Sequence, residues 1–551
     1  MITGALMSGA RMVDITGGLA WRAHVIREEM GRKGTLYISG YVQGKKGLMT
    51  PGELARSLDR SLQTEEISDF VKGLYGNFGL IYETPEYVIA VADRIRSVPI
   101  FYREAPFIVA ASAVRLLESG CRESADLTAC SEFLLAGYVT GKDTLFEDIK
   151  QLQAGEFMHW SRGQLTVRRY YSYPSDEVWE DRPESDLIEE LDAVHKEVFG
   201  RIIGSLEGRA VMVPLSGGLD SRLVVAMLRR LKYDNVSCFA FGKAGHWEVE
   251  TSRRVAQKLC CKWMYFPYNH AKWKNWFGSK EYEEYFGRVN NFFSLPPLLE
   301  WPSVLQISKE ARKDLIFMPG HTGDYISGGH LLYLFEGGFE LSTDHLFRAI
   351  LQRHFTLWSY ENLLRDCFPQ IRAKMMKNLH LGSPLSGQVL AAAYERWEWR
   401  ERQAKYIVNH VRSYECYGFD WRIPLWDPAL MDFWSRVPLK WKTGKKLYRS
   451  YLAEVDPGGV FKTQGEGPRI TCKQRFKQGA KSLPILGQAF TEFRNYLKRY
   501  GDYWNDNIQM FGLVPYHQFI LRRHRARNVN AFFAKWYLRG LYERFGLQAS
   551  D

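Results

Sequence analysis

Short apolar runs punctuated by turn residues dominate the first third of the chain. TLYISGYV (35–42), FGLIYE (78–83), YVIAVAD (87–93), FIVAAS (107–112) and EFMHW (156–160) are β-branched or aromatic and predict strands. Helical spacing of apolar positions at 52–62, 65–74 and 127–136 interrupts them. This mixture predicts stacked sheets with helices packed outside. Residues 172–185, SYPSDEVWEDRPES, are polar, acidic and proline-bearing, and read as a linker. The rhythm then changes. Leu187, Leu191, Val194, Val198 and Ile202 recur at helical spacing over 186–205. A strand at 210–215, a glycine loop and a helix running to Leu231 follow, then a strand at 236–242 and a helix at 248–260. Strand, helix, strand, helix predicts a parallel α/β sheet. LIFMPG (315–320) reads as one more buried strand ending in a glycine-rich loop. Beyond about residue 335 the pattern is mainly helical and rich in Trp and Tyr, with a basic cluster RRHRAR at 522–527. There is no internal repeat.

The chain has 551 residues, 46% hydrophobic and 25% charged, which fits a globular protein of two to four domains. The net charge of +12 fits either an anionic partner or a plain surplus of surface cations, and RRHRAR alone does not make a nucleic-acid site. No apolar stretch is long enough to predict a membrane span. The N-terminus lacks the basic start and clean apolar block of a signal peptide. Eight cysteines, at 121, 130, 238, 260, 261, 367, 416 and 472, include no CxxC pair. This argues against zinc or a disulfide framework and predicts a reducing cytoplasm. Cys260 and Cys261 are expected to be buried small hydrophobes.

The chemistry concentrates at VMVPLSGGLDSR (211–222). Glycines permit unusual dihedrals and close approach to the backbone, and successive N–H groups at a helix N-terminus can surround an anion. Ser216 and Ser221 add hydroxyls. Asp220 is wrong for a phosphate cradle unless a divalent cation such as Mg²⁺ sits between them. The stretch is neither GxxxxGK[S/T] nor GxGxxG.

SGGLDS resembles the SGGxDS loop of the PP-loop ATP pyrophosphatases, and within them the chain is similar to the asparagine synthetase type. PGHTGDYISGGH (319–330) resembles that family's SGEGxDExFGGY loop, FDWRIPLWD (419–427) its ExRxPFLD segment and GKKLYRSYL (444–452) its GK…LR helix. GNFGLIYE, ADRIRSVPIFY (92–102), TLFEDIKQLQAGEF (144–157) and RRYY (168–171) resemble its glutaminase domain. The resemblance implies an α/β protein in three parts. These are an Ntn-hydrolase-like αββα sandwich over 1–175, a doubly wound parallel-sheet PP-loop domain over 186–480, and a helical, basic C-terminal extension over 481–551.

It further implies that Leu215, Ser216, Gly217, Gly218, Asp220, Ser221 and Gly320 hold ATP phosphates. Phe239 and Gly242 would face the adenine, and Asp220 and Asp324 would bind Mg²⁺. A lysine after the GK…LR helix would meet the pyrophosphate; Lys462 and Lys473 both fall there, and the resemblance leans to Lys462. Two departures stand out. Ile2 replaces the family's nucleophilic cysteine and the first cysteine is Cys121, so glutamine hydrolysis is expected to be lost. His321 and Tyr325 replace two carboxylates of the SGEGxDE loop. His321 becomes a candidate base for the attacking nitrogen, and Tyr325 is expected to pack.

The expected activity is therefore an ATP- and Mg²⁺-dependent ligase. It adenylates a small-molecule carboxylate, releases pyrophosphate and forms an amide with ammonia or an amine. A surface-polysaccharide uronic acid is one acceptor suggested by the resemblance. Macrolactam formation of the lasso-cyclase kind and a non-catalytic scaffold are the alternatives. No nucleic-acid partner and no membrane span are expected, and a homodimer is the assembly considered.

Overall fold

The computed structural model describes residues 12–27, 33–61, 64–119, 124–174, 182–336, 341–358, 361–379, 386–462, 500–521 and 526–545. Residues 175–181 of the expected linker, Lys473, Cys121, Cys472, Ile2 and 522–525 of the basic cluster lie outside them.

The N-terminal half is layered by the period-two alternation of its strands. A seven-stranded sheet runs in the order Gln164–Arg169, Glu156–Ser161, Tyr87–Ala92, Tyr75–Glu83, Lys33–Gly44, Arg22–Arg27, with Gly47–Leu48 added on Lys33–Gly44. On one face Leu80, Tyr82, Ile89 and Val91 pack against Leu54, Leu58, Ile67 and Val71 of the helices Pro51–Arg60 and Thr64–Lys72. On the other, Ile81, Val88, Ala90 and Met158 meet Ile100, Tyr102, Val109 and Leu152, from a four-stranded sheet and its flanks. That second sheet presents Phe101, Ile108 and Ala110 outward to the helices Ala113–Glu118 and Leu127–Ala136. The layers are helix, sheet, sheet, helix.

The C-terminal half is built on a five-stranded parallel sheet. Its order is Lys262–Pro267, Val236–Gly242, Val211–Pro214, Ile316–Phe317, Asp420–Trp421. Chain order reverses at Val211–Pro214, so the switch point lies between that strand and Ile316–Phe317. Doubly wound sheets bind ligands there, beyond the carboxyl ends of the strands.

The two halves are joined through buried polar contacts. A π-helical turn, Trp399–Ile407, presents Glu401 and Lys405 to the N-terminal half. Glu401 accepts the Gly141 N–H at 2.8 Å and Lys405 Nζ at 2.6 Å, and Lys405 also donates to Val139 O at 3.1 Å. The C-terminal helix Val529–Phe545 returns to the N-terminal layers, with Tyr537 4.8 Å from the Phe133 ring.

Three expectations change. LIFMPG contributes only a two-residue strand, Ile316–Phe317, because Met318 onward already belongs to the loop. Cys260 is exposed, at φ +54°, and Cys261 is half-buried; both sit where the helix Trp247–Lys258 turns into the edge strand rather than in the core. The edge strand Lys262–Pro267 is an addition to the expected elements, although WMYF (263–266) is an apolar, aromatic run.

Phe133 is fully buried between the N-terminal layers and the C-terminal helix. Phe133→Ala is expected to cost about 3–5 kcal/mol. The urea midpoint followed by tryptophan emission should fall accordingly; an unchanged midpoint would show that this junction does not stabilise the protein.

Candidate active site

Val211–Pro214 is wholly buried and ends at Leu215, from which the loop 216–218 enters the helix Leu219–Arg230, capped by Gly218. The serines brace the turn. Ser216 N–H donates to Ser221 Oγ at 3.1 Å, Gly218 N–H donates to Ser216 Oγ at 3.1 Å, and the two hydroxyl oxygens lie 3.0 Å apart. Arg222 donates to Gly217 O at 3.0 Å and to Val460 O at 3.1 Å, fixing the loop from behind.

The loop after Ile316–Phe317 lies directly against this turn. A Cβ on Gly320 would come within 2.4 Å of Ser221 N, and one on Gly323 within 2.7 Å of Asp220 Cγ. Asp324 N–H donates to Asp220 Oδ2 at 2.8 Å, and Tyr448 OH donates to Asp220 Oδ1 at 3.1 Å. The FDWRIPLWD segment positions the second loop, since Trp426 Nε1 donates to Thr322 Oγ1 at 2.9 Å.

Burial, and then the neighbouring Asp324, push the Asp220 carboxyl up to about 7. Asp324 goes the other way: burial works against its charge, but His330, with Nε2 3.2 Å from Asp324 Oδ2, outweighs it and lowers the pKa. His330 is buried too, and the carboxylates of Glu398 and Asp324 still raise it. The second lining carboxyl, Glu300, is pushed up to about 7 by burial while accepting the Tyr414 hydroxyl.

These groups surround a cleft of about 410 Å³, within the range of small-molecule sites. Leu215, Ser216, Gly218, Asp220, Ser221, Gly320, His321 and Asp324 line it together, drawn from two loops a hundred residues apart in sequence. Gly217 stands behind the wall, where a Cβ would meet the Trp247 ring at 2.8 Å. Phe239 does not line the cleft. It packs in the core against Phe266 and Phe317, and Ala240 and Phe241, nearer the carboxyl end of the strand, form the wall instead. At Gly242, with φ +127°, Asn507 approaches so closely that a Cβ would fall 2.2 Å from its Oδ1.

Lys462 is exposed and is absent from the lining; the lysine that reaches the cleft is Lys445. It sits at φ +62°, ahead of the helix Lys446–Val455, and acts electrostatically on both Asp220 and Asp324. GKK at 444–446 was its only sequence signal. Asn507 and Ile508 also line the cleft, and no local pattern marks them. Lys243 N–H donates to Asn507 O at 2.7 Å, and Asn507 Nδ2 donates to Glu248 Oε2 at 2.7 Å.

His321 is half-buried on the cleft wall, and its Nδ1 has no hydrogen-bond partner among the described residues. Burial and then His410 push it down to about 3, so the imidazole is neutral and a weak base here. Tyr325 is buried and donates to Glu395 O at 2.6 Å.

Among the described residues, no group of three or more His, Cys, Asp or Glu could hold a metal. Two hard oxygen ligands facing a cleft still fit Mg²⁺, which takes one or two carboxylates and completes its shell with phosphate oxygens and water. The donor set fits a metal that arrives with its phosphates.

Gly320→Ala tests the loop contact. A methyl group 2.4 Å from a backbone nitrogen forces the loops apart. MgATP affinity by calorimetry is expected to fall about tenfold or more, at least 1.4 kcal/mol; unaltered affinity would separate the contact from binding.

Residues 207–461 match the family of asparagine synthase, and residues 62–171 match the glutamine amidotransferase domain. No curated protein matches the chain. Similar solved structures include glutamine phosphoribosylpyrophosphate amidotransferase from B. subtilis, complexed with ADP and GMP. It is 13% identical, covers 47% of this chain and 76% of its own, and has a TM-score of 0.21. The NH3-dependent NAD synthetase from Campylobacter jejuni is 13% identical over 39% of this chain and 94% of its own, with a TM-score of 0.20. The glutamine-dependent NAD+ synthetase from Acinetobacter baumannii, in complex with ADP, is 10% identical over 68% and 84%, with a TM-score of 0.19. The chain thus carries an asparagine synthase domain at 207–461, preceded by a domain of the glutamine amidotransferase kind at 62–171.

Proposed function

We propose that the protein is an ATP- and Mg²⁺-dependent ligase that adenylates a carboxylate and converts it to an amide with ammonia or an amine. The observation that carries this reading is the meeting of Asp220 and Asp324, from two loops at the switch point of a parallel sheet, inside the asparagine synthase domain. A scaffold without chemistry has no need to keep two half-buried acids facing one another.

In this reading the hydroxyls of Ser216 and Ser221 and the N-terminus of the helix Leu219–Arg230 hold the β- and γ-phosphates. Mg²⁺, when bound, supplies the positive charge that lets Asp220 and Asp324 face those phosphates. The acceptor carboxylate oxygen attacks the α-phosphorus, the bond to the bridging oxygen breaks, and pyrophosphate leaves. Lys445 offsets the charge that develops on it. The nitrogen then attacks the acyl carbon, AMP departs, and the nitrogen gives up a proton. His321, neutral and unpartnered at Nδ1, faces the cleft as its acceptor; the anionic phosphates beside it favour its charged form. A uronic acid remains one acceptor for the test, and an amine on a peptide is the other nitrogen source.

The N-terminal domain is proposed to be inactive as a glutaminase. Cys130, in the helix Leu127–Ala136 of that domain, is buried with its thiol pushed up to about 11 by that burial, which keeps it unreactive.

ATP–pyrophosphate exchange with Mg²⁺ and a panel of carboxylates tests the ligase. Exchange with at least one acid is expected, reduced to background in Asp220→Ala. Lys445→Ala should lower it by about 100-fold, whereas Lys462→Ala should stay within about twofold; the reverse order would return the pyrophosphate role to Lys462. Glutamate release from glutamine by the pure protein would overturn the assignment of the N-terminal domain.

A further inference from the structure

A second cavity, of about 190 Å³, lies back to back with the cleft. Two stretches of chain and one pair of side chains stand between them. Leu298 and Leu299 face the cavity and Glu300 the cleft; Met510 faces the cavity and Ile508 the cleft. Across the third wall, His410 on the cavity side and His321 on the cleft side stand with ring centroids 5.9 Å apart. The cavity is therefore next to the atoms on which the ligase would act.

Its own wall is aromatic. Phe277 lies 4.4 Å from Tyr282 and 5.8 Å from Phe533 of the C-terminal helix. Two of the polar groups there are already engaged: Asn530 Nδ2 donates to Tyr406 OH at 2.9 Å, and Tyr537 OH bonds Asn290. Burial and then Arg402 push His410 down to about 4, so it is neutral. Leu299, 38% exposed, and Trp536, 36% exposed, mark the mouth.

Size narrows the occupant. An apolar cavity of about 150 Å³ holds one benzene, so this one takes a single six-membered ring. A sugar ring would bury several hydroxyls against partners that are spoken for, which costs more than the stacking returns.

We propose that this cavity binds one apolar ring, aromatic or cycloaliphatic, carried by the acceptor carboxylate whose acid group reaches the His321 side. The assignment of the ring to the acceptor rests on the ligase reading above; the site itself does not.

Two measurements separate the two. First, fluorobenzene binding is followed by ¹⁹F NMR. Saturable binding is expected for the wild type, with about a tenfold loss in Leu299→Trp, which fills the cavity. Phe533→Ala, which enlarges it, should admit 2-fluoronaphthalene, so a folded second variant guards against misfolding of the first. MgATP affinity should be unchanged in Leu299→Trp. Second, pyrophosphate exchange compares phenyl-bearing alkanoates with unbranched alkanoates of the same reach and with glucuronate. The phenyl series is expected to exceed both by about tenfold in kcat/KM, and Leu299→Trp should erase that preference. Fluorobenzene binding without exchange by any acid would sustain the site and sink the ligase reading. Absence of saturable ring binding would overturn the site; exchange with glucuronate that Leu299→Trp leaves untouched would overturn the assignment of the ring to the acceptor while the ligase stands.

Discussion

The cleft depends on one close approach. The turn after Val211–Pro214 and the loop after Ile316–Phe317 touch backbone to backbone, with Gly320 against Ser221 N and Gly323 against the Asp220 carboxyl. Side chains at either glycine would hold the loops apart, and the hydrogen bond from Asp324 N–H to Asp220 would not form. The parallel sheet brings the two loops to one edge; the missing Cβ atoms let them meet. Two acids then share a buried space, which folding alone disfavours. The surrounding cations answer this. His330 is held against Asp324 by Glu398 at its other nitrogen, and Lys445 stands in a left-handed turn facing both acids.

The N-terminal domain contributes to this arrangement at a distance. Its link to the rest runs through buried ionic groups rather than apolar packing alone: Lys405 is pushed down to about 8 by burial even though Glu401 opposes that shift. Such groups are costly to separate once folded, because each would be left buried without its partner. They fix the register between the halves, and Glu401 and Lys405 belong to the same helical run that carries Glu398 and His410. The geometry of the cleft and the seating of the N-terminal layers are thus set by one continuous stretch of chain.

Much of this was legible. Tyr87–Ala92 and Val236–Gly242 are apolar runs on buried central strands, so pattern and burial agree, and the SGGLDS and PGHTGD loops carried their chemistry in plain view. The losses have physical reasons. Lys262–Pro267 is an edge strand whose aromatic run, WMYF, stands half-buried or exposed, so no alternation of polar and apolar positions marks it. Asp420–Trp421 is two residues long and is a strand only because Ile316–Phe317 lies beside it. The end of the strand Val236–Gly242 does face the cleft, but Phe239 lies too deep in it to reach the wall, which Ala240 and Phe241 form further along. Lys445 was passed over for lysines further along because charge alone does not reveal which of several lysines a turn will aim inward. Asn507 could not be found at all, since its role exists only through contact with Lys243 and Glu248.

That last contact has a consequence for biosynthesis. Asn507 and Ile508 complete a wall whose other parts come from earlier in the chain, from Lys445 back to Pro214. A nascent chain can lay down the sheet and both glycine loops well before that wall arrives. During that interval the cleft stands open along the Gly242 edge, so the two loops alone do not enclose it.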